Sequence, residues 1–221
     1  MLQNFFSRGG LFHPTKNYSN QYIKKIKTYK NKAIINVGSG GYNPIPGAIN
    51  IDPFRTGINT VRAYGESLPF ENESVDVAMC AAVLEHVKEP KKIVDEIYRV
   101  LKCGGEIYIE VPFMQPYHAA PDDYTRFTIS GVKHLCKDFS EVSSGVIVGA
   151  GSAVAWLIVE YGQIFFSGTM KKIIRNLLKV VVSPLKYIDR FIIHKKDTCI
   201  LASGFYFYGI KQQKKISKIK F

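Results

Sequence analysis

The chain has 221 residues, enough for one domain with a full hydrophobic core and an appended helical piece. Its 46% hydrophobic and 13% aromatic content exclude general disorder, and its cysteines, at 80, 103, 136 and 199, make no CxxC pair or other metal-type spacing. The net charge of +12 is uneven: residues 1–140 hold 17 Lys and Arg against 14 Asp and Glu, and residues 141–221 hold 13 against 4.

Residues 1–32 read as a polar, lysine-rich arm in which Tyr18, Tyr22, Ile23 and Ile26 suit a short helix. The start, Met-Leu-Gln-Asn-Phe-Phe-Ser-Arg, lacks the cationic segment and apolar run of a secretory leader. Cys80 and Cys103 sit in apolar or turn contexts and are expected to be buried free thiols. A cytoplasmic location follows as the expectation, with peripheral seating at the inner face of a membrane left open. Runs rich in Ile, Val or Ala predict strands at 33–37, 48–52, 58–63, 75–80 and 105–111. Between the last two, Pro90 suits a helix's first turn, Ile93, Val94, Ile97, Val100 and Leu101 recur at helical spacing, and Gly104 suits the helix end. Strands alternating with helices predict an α/β fold with a mostly parallel sheet and right-handed crossovers. Only about ten residues, Pro44, Pro46 and Gly47 among them, separate Gly38 from the strand that ends at Asp52. Parallel connections usually need a dozen or more. The first crossover helix is therefore expected to be shortened to one turn or replaced by a loop.

Beyond Val111-Pro112 the pattern turns loop-like as far as Phe127, with His118, Asp122, Asp123, Tyr124 and Arg126 as a polar cluster. Thr128 is placed to cap a helix running to about Lys137, followed by a strand near 140–148. Residues 145–159 carry no charge, but Glu160 interrupts a run too short to cross a bilayer, and Gly145, Gly149 and Gly151 suit a bend or close packing. Residues 152–196 read as amphipathic helix, with Ile173, Ile174, Leu177 and Val181 on one side and Lys171, Lys172, Arg175 and Lys179 on the other. The stretch 202–208 reads as a last strand returning to the sheet, and the lysine tail after Gln213 as frayed. The expected organisation is an arm at 1–32, a core at 33–148, a helical basic insertion at 149–200, a final core strand at 201–210 and a basic tail at 211–221. The basic C-terminal part points to an anionic neighbour, such as a membrane surface meeting 171–196, or to a solvated lysine-rich face.

The densest chemical signal lies at 33–52. Ala-Ile-Ile-Asn-Val empties into Gly38-Ser39-Gly40-Gly41, and a second apolar run ends on Asp52. Glycines let backbone approach a ligand closely, and a carboxylate at the next strand tip suits a ribose diol. Then come Gly65-Glu66-Ser67-Leu68-Pro69-Phe70, Val75-Asp76-Val77, Leu84-Glu85-His86-Val87 and Arg99-Val100-Leu101-Lys102-Cys103-Gly104-Gly105. In that order these segments resemble the class I S-adenosylmethionine-dependent methyltransferases of the type 11-like branch, well over about 33–112 and loosely beyond. The resemblance implies a Rossmann-like, mostly parallel sheet with an antiparallel final strand, and S-adenosyl-L-methionine as cofactor. It implies that the Gly38-Ser39-Gly40 turn meets the methionine carboxylate and that Ala81 and Ala82 leave room beside the methionine end. Asp52 would hold the ribose, Pro53 and Phe54 one face of the adenine, and Gly65, Glu66 and Ser67 its edge. Two positions depart from the pattern: Asn36 stands before the glycines, and Tyr64 before the Leu-Pro-Phe segment, where relatives often carry acids. Asn36 can still accept a bond through its amide oxygen.

Methyl transfer from a sulfonium is an in-line displacement that depends chiefly on positioning, and a hydroxyl acceptor gains from a general base. His86, after strand four, and His118, in the loop after strand five, are the candidate bases. Asp122, Asp123, Tyr124 and Arg126 are candidate acceptor-binding residues, or else a salt-bridged loop in which Arg126 pairs with either aspartate. The expected reaction is O-methylation of a glycan, nucleotide sugar or lipid-linked saccharide. A lipid- or quinone-directed methyltransferase and a non-catalytic cofactor-binding partner protein stand beside it. The sequence has no Asn/Asp-Pro-Pro-Tyr/Phe tetrad of base-methylating enzymes, which argues against nucleic acid as acceptor. Nor does the glycine turn have the third glycine of the dinucleotide fingerprint, which disfavours a dehydrogenase. No metal is expected.

Overall fold

The computed structural model describes residues 13–17, 21–41, 43–57 and 59–213; the leader region, Tyr18 and the lysine tail lie outside the described residues. A short helix, α1 (Gln21–Lys27), precedes strands β1 (Ile34–Val37), β2 (Ile49–Ile51), β3 (Thr60–Val61) and β4 (Val75–Ala81). A 3₁₀ turn (Leu84–His86) leads to α2 (Pro90–Val100), β5 (Leu101–Pro112), α3 (Ile129–Leu135) and β6 (Ser140–Val148). Helices α4 (Ala150–Gln163), α5 (Gly168–Val182) and α6 (Leu185–Ile192), then a second 3₁₀ turn (Lys196–Ile200), precede β7 (Gly204–Ile210). All seven strands form one sheet in the order β3-β2-β1-β4-β5-β7-β6. Neighbours from β3 to β5 run parallel, and β7 runs antiparallel to both β5 and β6. This is the Rossmann-like arrangement the sequence implied.

The strands sit where their side-chain patterns require. The four residues of β1 are all buried, as suits a parallel strand covered on both faces. In β7 alternation sorts the aromatics: Phe205 and Phe207 join Ile35, Val37, Ile107 and Ile109 on one face, whereas Tyr206 and Tyr208 join Val77, Met79 and Tyr108 on the other. The first face is covered by Ile93, Val94, Ile97 and Val100 of α2 and by Val132 of α3. The tyrosine face is covered by Ile26 of α1 together with Ile45 and Ala48 of the β1–β2 connection. Tyr22 stacks on Tyr208 with ring centroids 4.2 Å apart, and Lys25 donates to the Tyr208 hydroxyl at 2.6 Å. Among the described residues of the β1–β2 connection there is no helix, as the proline-rich spacing predicts.

Two expectations need correcting. The helix that starts at Pro90 ends at Val100 rather than Gly104. Gly104, at φ +79°, instead lies within β5, where the register against β4 shifts between Val75 and Val77. A residue with positive φ serves a helix end and a bulged strand equally, so glycine alone does not tell them apart. Cys103, beside that bulge, is exposed; Cys80 and Cys136 are buried, and burial pushes the Cys136 thiol up to about 12.

The amphipathic stretch divides into α4, α5 and α6 around a small core of Ala155, Val159 and Val182. α4 is started by a carboxylate from α6. Asp189, fully buried, accepts from the Gly151 and Ser152 amides at 2.7 and 3.0 Å and from the Ser152 hydroxyl at 2.6 Å. A negative group there satisfies orphan amides and opposes the positive end of the helix dipole. A Cβ on Gly149 would lie 2.4 Å from the Asp189 carboxyl, which gives that glycine its reason. No helix among the described residues is long and apolar enough to cross a membrane.

Candidate active site

At the carboxyl end of β1 the backbone turns sharply through Gly38 (φ +68°) and Gly40 (φ +57°). A side chain on Gly38 would strike Val83, with its Cβ 2.3 Å from the nearest methyl carbon. That contact brings the glycine turn against the segment after β4. The amides of Gly38 and Ser39 donate to the Ile51 carbonyl at 2.8 and 3.2 Å, and the Gly40 amide donates to Asp52 at 2.6 Å. Three amides of the turn are thus spent within the protein, contrary to the expectation that they face a ligand. What remains is Ser39 Oγ, buried and without a hydrogen-bond partner among the described residues. Asp52 is 5% exposed; its other oxygen accepts from the Phe54 and Arg55 amides at 2.9 and 2.8 Å. Asn36 is buried below the turn and donates across the sheet to Asn50 at 3.1 Å, so its amide helps join β1 to β2.

The tips of β2 and β3 carry an aromatic wall. Phe54 is 65% exposed and meets Tyr64, 61% exposed, edge to face at 6.3 Å. Pro53 precedes Phe54, and its carbonyl accepts from Arg62 at 2.9 Å. Gly65 has no room for a side chain, because a Cβ would come within 3.0 Å of Ile93 and 3.1 Å of Val37. The Glu66-Ser67 turn that follows is held by α2: Arg99 donates to the Leu68 and Phe70 carbonyls, and Glu96 accepts from the Leu68 amide. Past β4, Ala81 and Ala82 are half-buried, and Ala82 has φ +56°, a backbone region that residues with a Cβ seldom adopt.

The loop after β5 folds back over the Leu84–His86 turn. The Tyr124 amide donates to the Glu85 carbonyl at 2.7 Å, and the Phe127 amide to the Pro112 carbonyl at 2.9 Å. Within the loop, Arg126 pairs with Asp123 and also donates to the Gln115 and Pro116 carbonyls at 3.2 and 3.0 Å. Asp123 in turn accepts from the His118 amide at 2.8 Å. The Arg126 guanidinium holds the Asp123 carboxyl well below the usual carboxylate range. Of the two aspartates offered as partners, Arg126 chooses Asp123, while Asp122 accepts from the Tyr124 hydroxyl at 2.9 Å. This scaffold brings His118 to His86, ring centroids 5.4 Å apart and nearly perpendicular.

Between the two rings lies a residue the sequence reading did not single out. Glu85 is fully buried, and among the described residues neither carboxylate oxygen has a hydrogen-bond partner. Its Oε1 is 3.7 Å from His86 Nε2 and 3.8 Å from His118 Nε2. The Glu85 carboxylate keeps the His118 imidazole's pKa above its ordinary value, against the opposing effect of burial. Trp156 of α4, the chain's single tryptophan, lies 5.9 Å from the His118 ring. Val83 and Trp156 also escaped the sequence reading, and Tyr64, noted there only as a departure from the family pattern, stands in the aromatic wall. Glu85 had a signal, a charge directly after the apolar residues Ala81–Leu84; Trp156 had none, since α4 is remote in sequence.

Comparison with known proteins bears on the fold and on the segment that carries part of this site. Residues 45–109 match the family described as "Methyltransferase domain", a segment that contains Asp52, Gly65, Glu85 and His86. An uncharacterized protein of Methanocaldococcus jannaschii is 44% identical over 57 residues, covering 26% of this chain and 28% of its own. The ubiquinone biosynthesis O-methyltransferase of Pseudomonas fluorescens is 30% identical over 108 residues, 46% of this chain and 43% of that protein. The alignments thus cover less than half of either relative. An S-adenosylmethionine-dependent methyltransferase structure from Thermotoga maritima aligns over 86% of this chain and 87% of its own, with a TM-score of 0.53 and 14% identity, a likeness of fold. In its sheet order and in its matched segment, the chain resembles the class I methyltransferases of the type 11 family.

Proposed function

We propose that this protein binds S-adenosyl-L-methionine across the tips of β1, β2 and β4 and methylates a hydroxyl oxygen of a small-molecule acceptor held by the loop after β5. One observation carries the reading. The Gly38–Asp52 cradle and the Glu85–His86–His118 group lie at the same end of the sheet, joined by the contact of Gly38 with Val83. In doubly wound sheets that end is where ligands bind. The cradle suits the cofactor on its own features: a buried hydroxyl, Ser39 Oγ, without a partner among the described residues, and a buried acid at the β2 tip. When bound, the cofactor supplies a methyl carbon on a sulfonium: the acceptor oxygen bonds to it as the carbon–sulfur bond breaks, its electron pair staying on sulfur.

The protein's residues supply position. Ser39 Oγ donates to the methionine carboxylate. Asp52 takes the ribose hydroxyls; it already accepts from three amides. A carboxylate offers about four lone-pair sites, so a diol making two bonds displaces the Gly40 amide. Phe54 and Tyr64 flank the adenine, with Pro53 at its face and Gly65, Glu66 and Ser67 at its edge. Ala81 and Ala82 leave space beside the methionine end. Arg126, Asp123, Asp122 and Tyr124 shape the acceptor loop, and His118 and His86 meet the acceptor hydroxyl. The acceptor class we favour is a glycan, nucleotide sugar or lipid-linked saccharide. The ubiquinone-pathway relative supports a hydroxyl as the target and makes a quinone precursor the competing acceptor.

A second observation supports attachment at an anionic membrane surface. The apolar stripe of α5 and α6 faces out: Ile173, Leu177, Val181 and Phe191 are exposed beside Lys171, Lys172, Arg175 and Arg190. Apolar side chains rimmed by cations suit the interface of an anionic bilayer. Binding to phosphatidylglycerol vesicles, weakened by salt and absent on phosphatidylcholine, is the expected result; equal indifference to both removes the attachment.

Two measurements test the main reading. Calorimetry with S-adenosylhomocysteine should give saturable binding that Asp52→Ala weakens at least tenfold while the protein stays folded. Labelled methyl donor, incubated with lipid, glycan and protein pools of a lysate, should mark the glycan or lipid-linked glycan pool. Label in none of them, with nucleoside binding intact, would reduce the protein to a non-catalytic binder.

A further inference from the structure

We propose that Glu85, His86 and His118 form a divalent-cation site, two imidazole nitrogens and one carboxylate oxygen, that receives acceptors with two adjacent oxygens. The role given to the cation rests on the O-methylation reading; the existence of the site does not. Each of the three side chains offers a ligand atom, and these atoms lie within 4.8 Å of one another.

The tautomers follow from the outer contacts. His86 Nδ1 is 2.6 Å from the Asp122 carbonyl oxygen, and His118 Nδ1 is 2.9 Å from that of Pro116. A carbonyl only accepts, so both Nδ1 atoms carry the proton and both Nε2 atoms present a lone pair. Arg126 also approaches His118 Nδ1, at 3.3 Å, but the shorter Pro116 contact decides the assignment. A backbone carbonyl on the far nitrogen is the usual support of a metal-binding histidine. Each inward Nε2 then faces Glu85 Oε1 at 3.7 and 3.8 Å, too far for a hydrogen bond. Three electron-rich atoms converge, and among the described residues no cationic side chain stands between them.

Ligands about 2.1 Å from a tetrahedral cation stand about 3.4 Å apart, so the two Glu85–histidine separations close with a few tenths of an ångström and the histidine pair, within 4.8 Å, with at most about 1.4 Å. A buried carboxylate left without partners is costly, and a cation removes that cost. The alternative counter-charge is a second proton on His118. Two nitrogens and one oxygen suit Zn²⁺, Co²⁺ or Mn²⁺ better than Mg²⁺, which prefers oxygen. The His118 side chain is 30% exposed and that of His86 13%, so one side of the group stays open for further ligands. Open positions suit a vicinal diol, a catechol or an α-hydroxy acid. The hydroxyl to be methylated ligates the cation, its proton passes to water, and the bound oxygen attacks the methyl carbon. On this assignment the two histidines are ligands rather than bases.

Trp156 beside His118 provides the readout. The full chain, stripped with a chelator, is titrated with Co²⁺ while tryptophan fluorescence and visible absorption are followed. One equivalent should quench Trp156 and produce a d–d band. Glu85→Gln and His118→Ala should each weaken binding at least about tenfold, the least that loss of even an outer-shell partner costs. His86→Ala serves if either fails to fold. A variant with Cys103→Ser and Cys199→Ser, which removes the exposed thiols, should bind as the native chain does. The site is overturned if the native chain shows no saturable binding of Co²⁺, Zn²⁺ or Mn²⁺ up to millimolar concentration. It is equally overturned if binding survives the ligand variants or vanishes with the thiols. Asp52→Ala separates the two proposals: it should weaken S-adenosylhomocysteine binding at least tenfold and leave Co²⁺ binding intact. Cation binding without any nucleoside binding would sink methyl transfer alone.

Discussion

The two sides of the cleft are built by different means. The side at β1 and β2 is local: its parts, Gly38 to Asp52, lie within fifteen residues of one another and owe their conformation to glycines and short backbone bonds. The side across from it is assembled from the turn after β4, the loop after β5 and helix α4, whose residues are far apart in the chain. A local site is fixed by what its backbone can do. An assembled site is fixed by what holds its pieces together: the Tyr124 amide and the His86 ring join the loop to the turn after β4, and Arg126 with Asp123 holds the loop itself in shape.

The sharpest way to break the local side is Gly38→Ala. The new Cβ would sit at positive φ, about 1–2 kcal/mol, and would crowd Val83, about 1–3 kcal/mol more. A loss of about 2–5 kcal/mol in denaturant unfolding is expected. Val83→Ala should recover the packing share but not the backbone share; full recovery, or none, would show that the two effects have been wrongly divided.

For the assembled side the corresponding lesion is Arg126→Ala. A fully buried ion pair costs 3–5 kcal/mol to break; with the Arg126 side chain 25% exposed, about 2 kcal/mol is expected. Nucleoside affinity should hold while turnover falls, because His118 loses its support. Acid adds a second handle. Asp123 is held below its ordinary pKa in the folded state, so its stabilisation is complete above the unfolded value and fades as pH falls toward the folded one. Asp123→Asn should be less stable at neutral pH and should have a shallower acid limb; an unchanged limb would remove the pair from the account.

Much of the fold was legible because buried parallel strands read as apolar runs, and the proline-rich gap between β1 and β2 left no length for a helix. The same reasoning erred at Gly104, where positive φ served a bulge, and at Cys103, which neighbours a turn but stays exposed. In the candidate site, Gly38 and Asp52 stood out at strand ends, and the roles proposed for them came from the family resemblance. Ser39's orphaned hydroxyl did not, since it depends on where the surrounding donors are spent. Glu85 was visible as a charge directly after an apolar run, yet only the folded loop shows both histidines turned toward it. The apolar side of α5 was legible as a stripe at helical spacing, and the fold leaves it exposed. Periodicity reports that a helix has an apolar side and is silent on what covers it.

Smaller effects sharpen the comparison further. Asp189→Asn exchanges a charged cap of α4 for a neutral one and should cost about 1–2 kcal/mol. Because α4 carries Trp156, its fluorescence should shift as well, although no residue of the cleft has been changed. An unaltered spectrum would mean that α4 is held by its apolar contacts alone.

The mildest test falls on the aromatic wall. Phe54 and Tyr64 are mostly exposed and meet edge to face, so removing one ring disturbs little of the core. Phe54→Ala should leave unfolding within about 0.5 kcal/mol of the native chain, as surface changes usually do. Its cost should appear on binding, where an aromatic pair contributes about 0.5–1.5 kcal/mol beyond area burial, a two- to twelvefold loss of S-adenosylhomocysteine affinity. Adenosine should lose affinity by the same factor and methionine by none, because only the base meets the ring. Equal losses for both would mean that Phe54 acts by holding the Asp52 turn, where its amide already bonds the carboxylate, rather than by stacking.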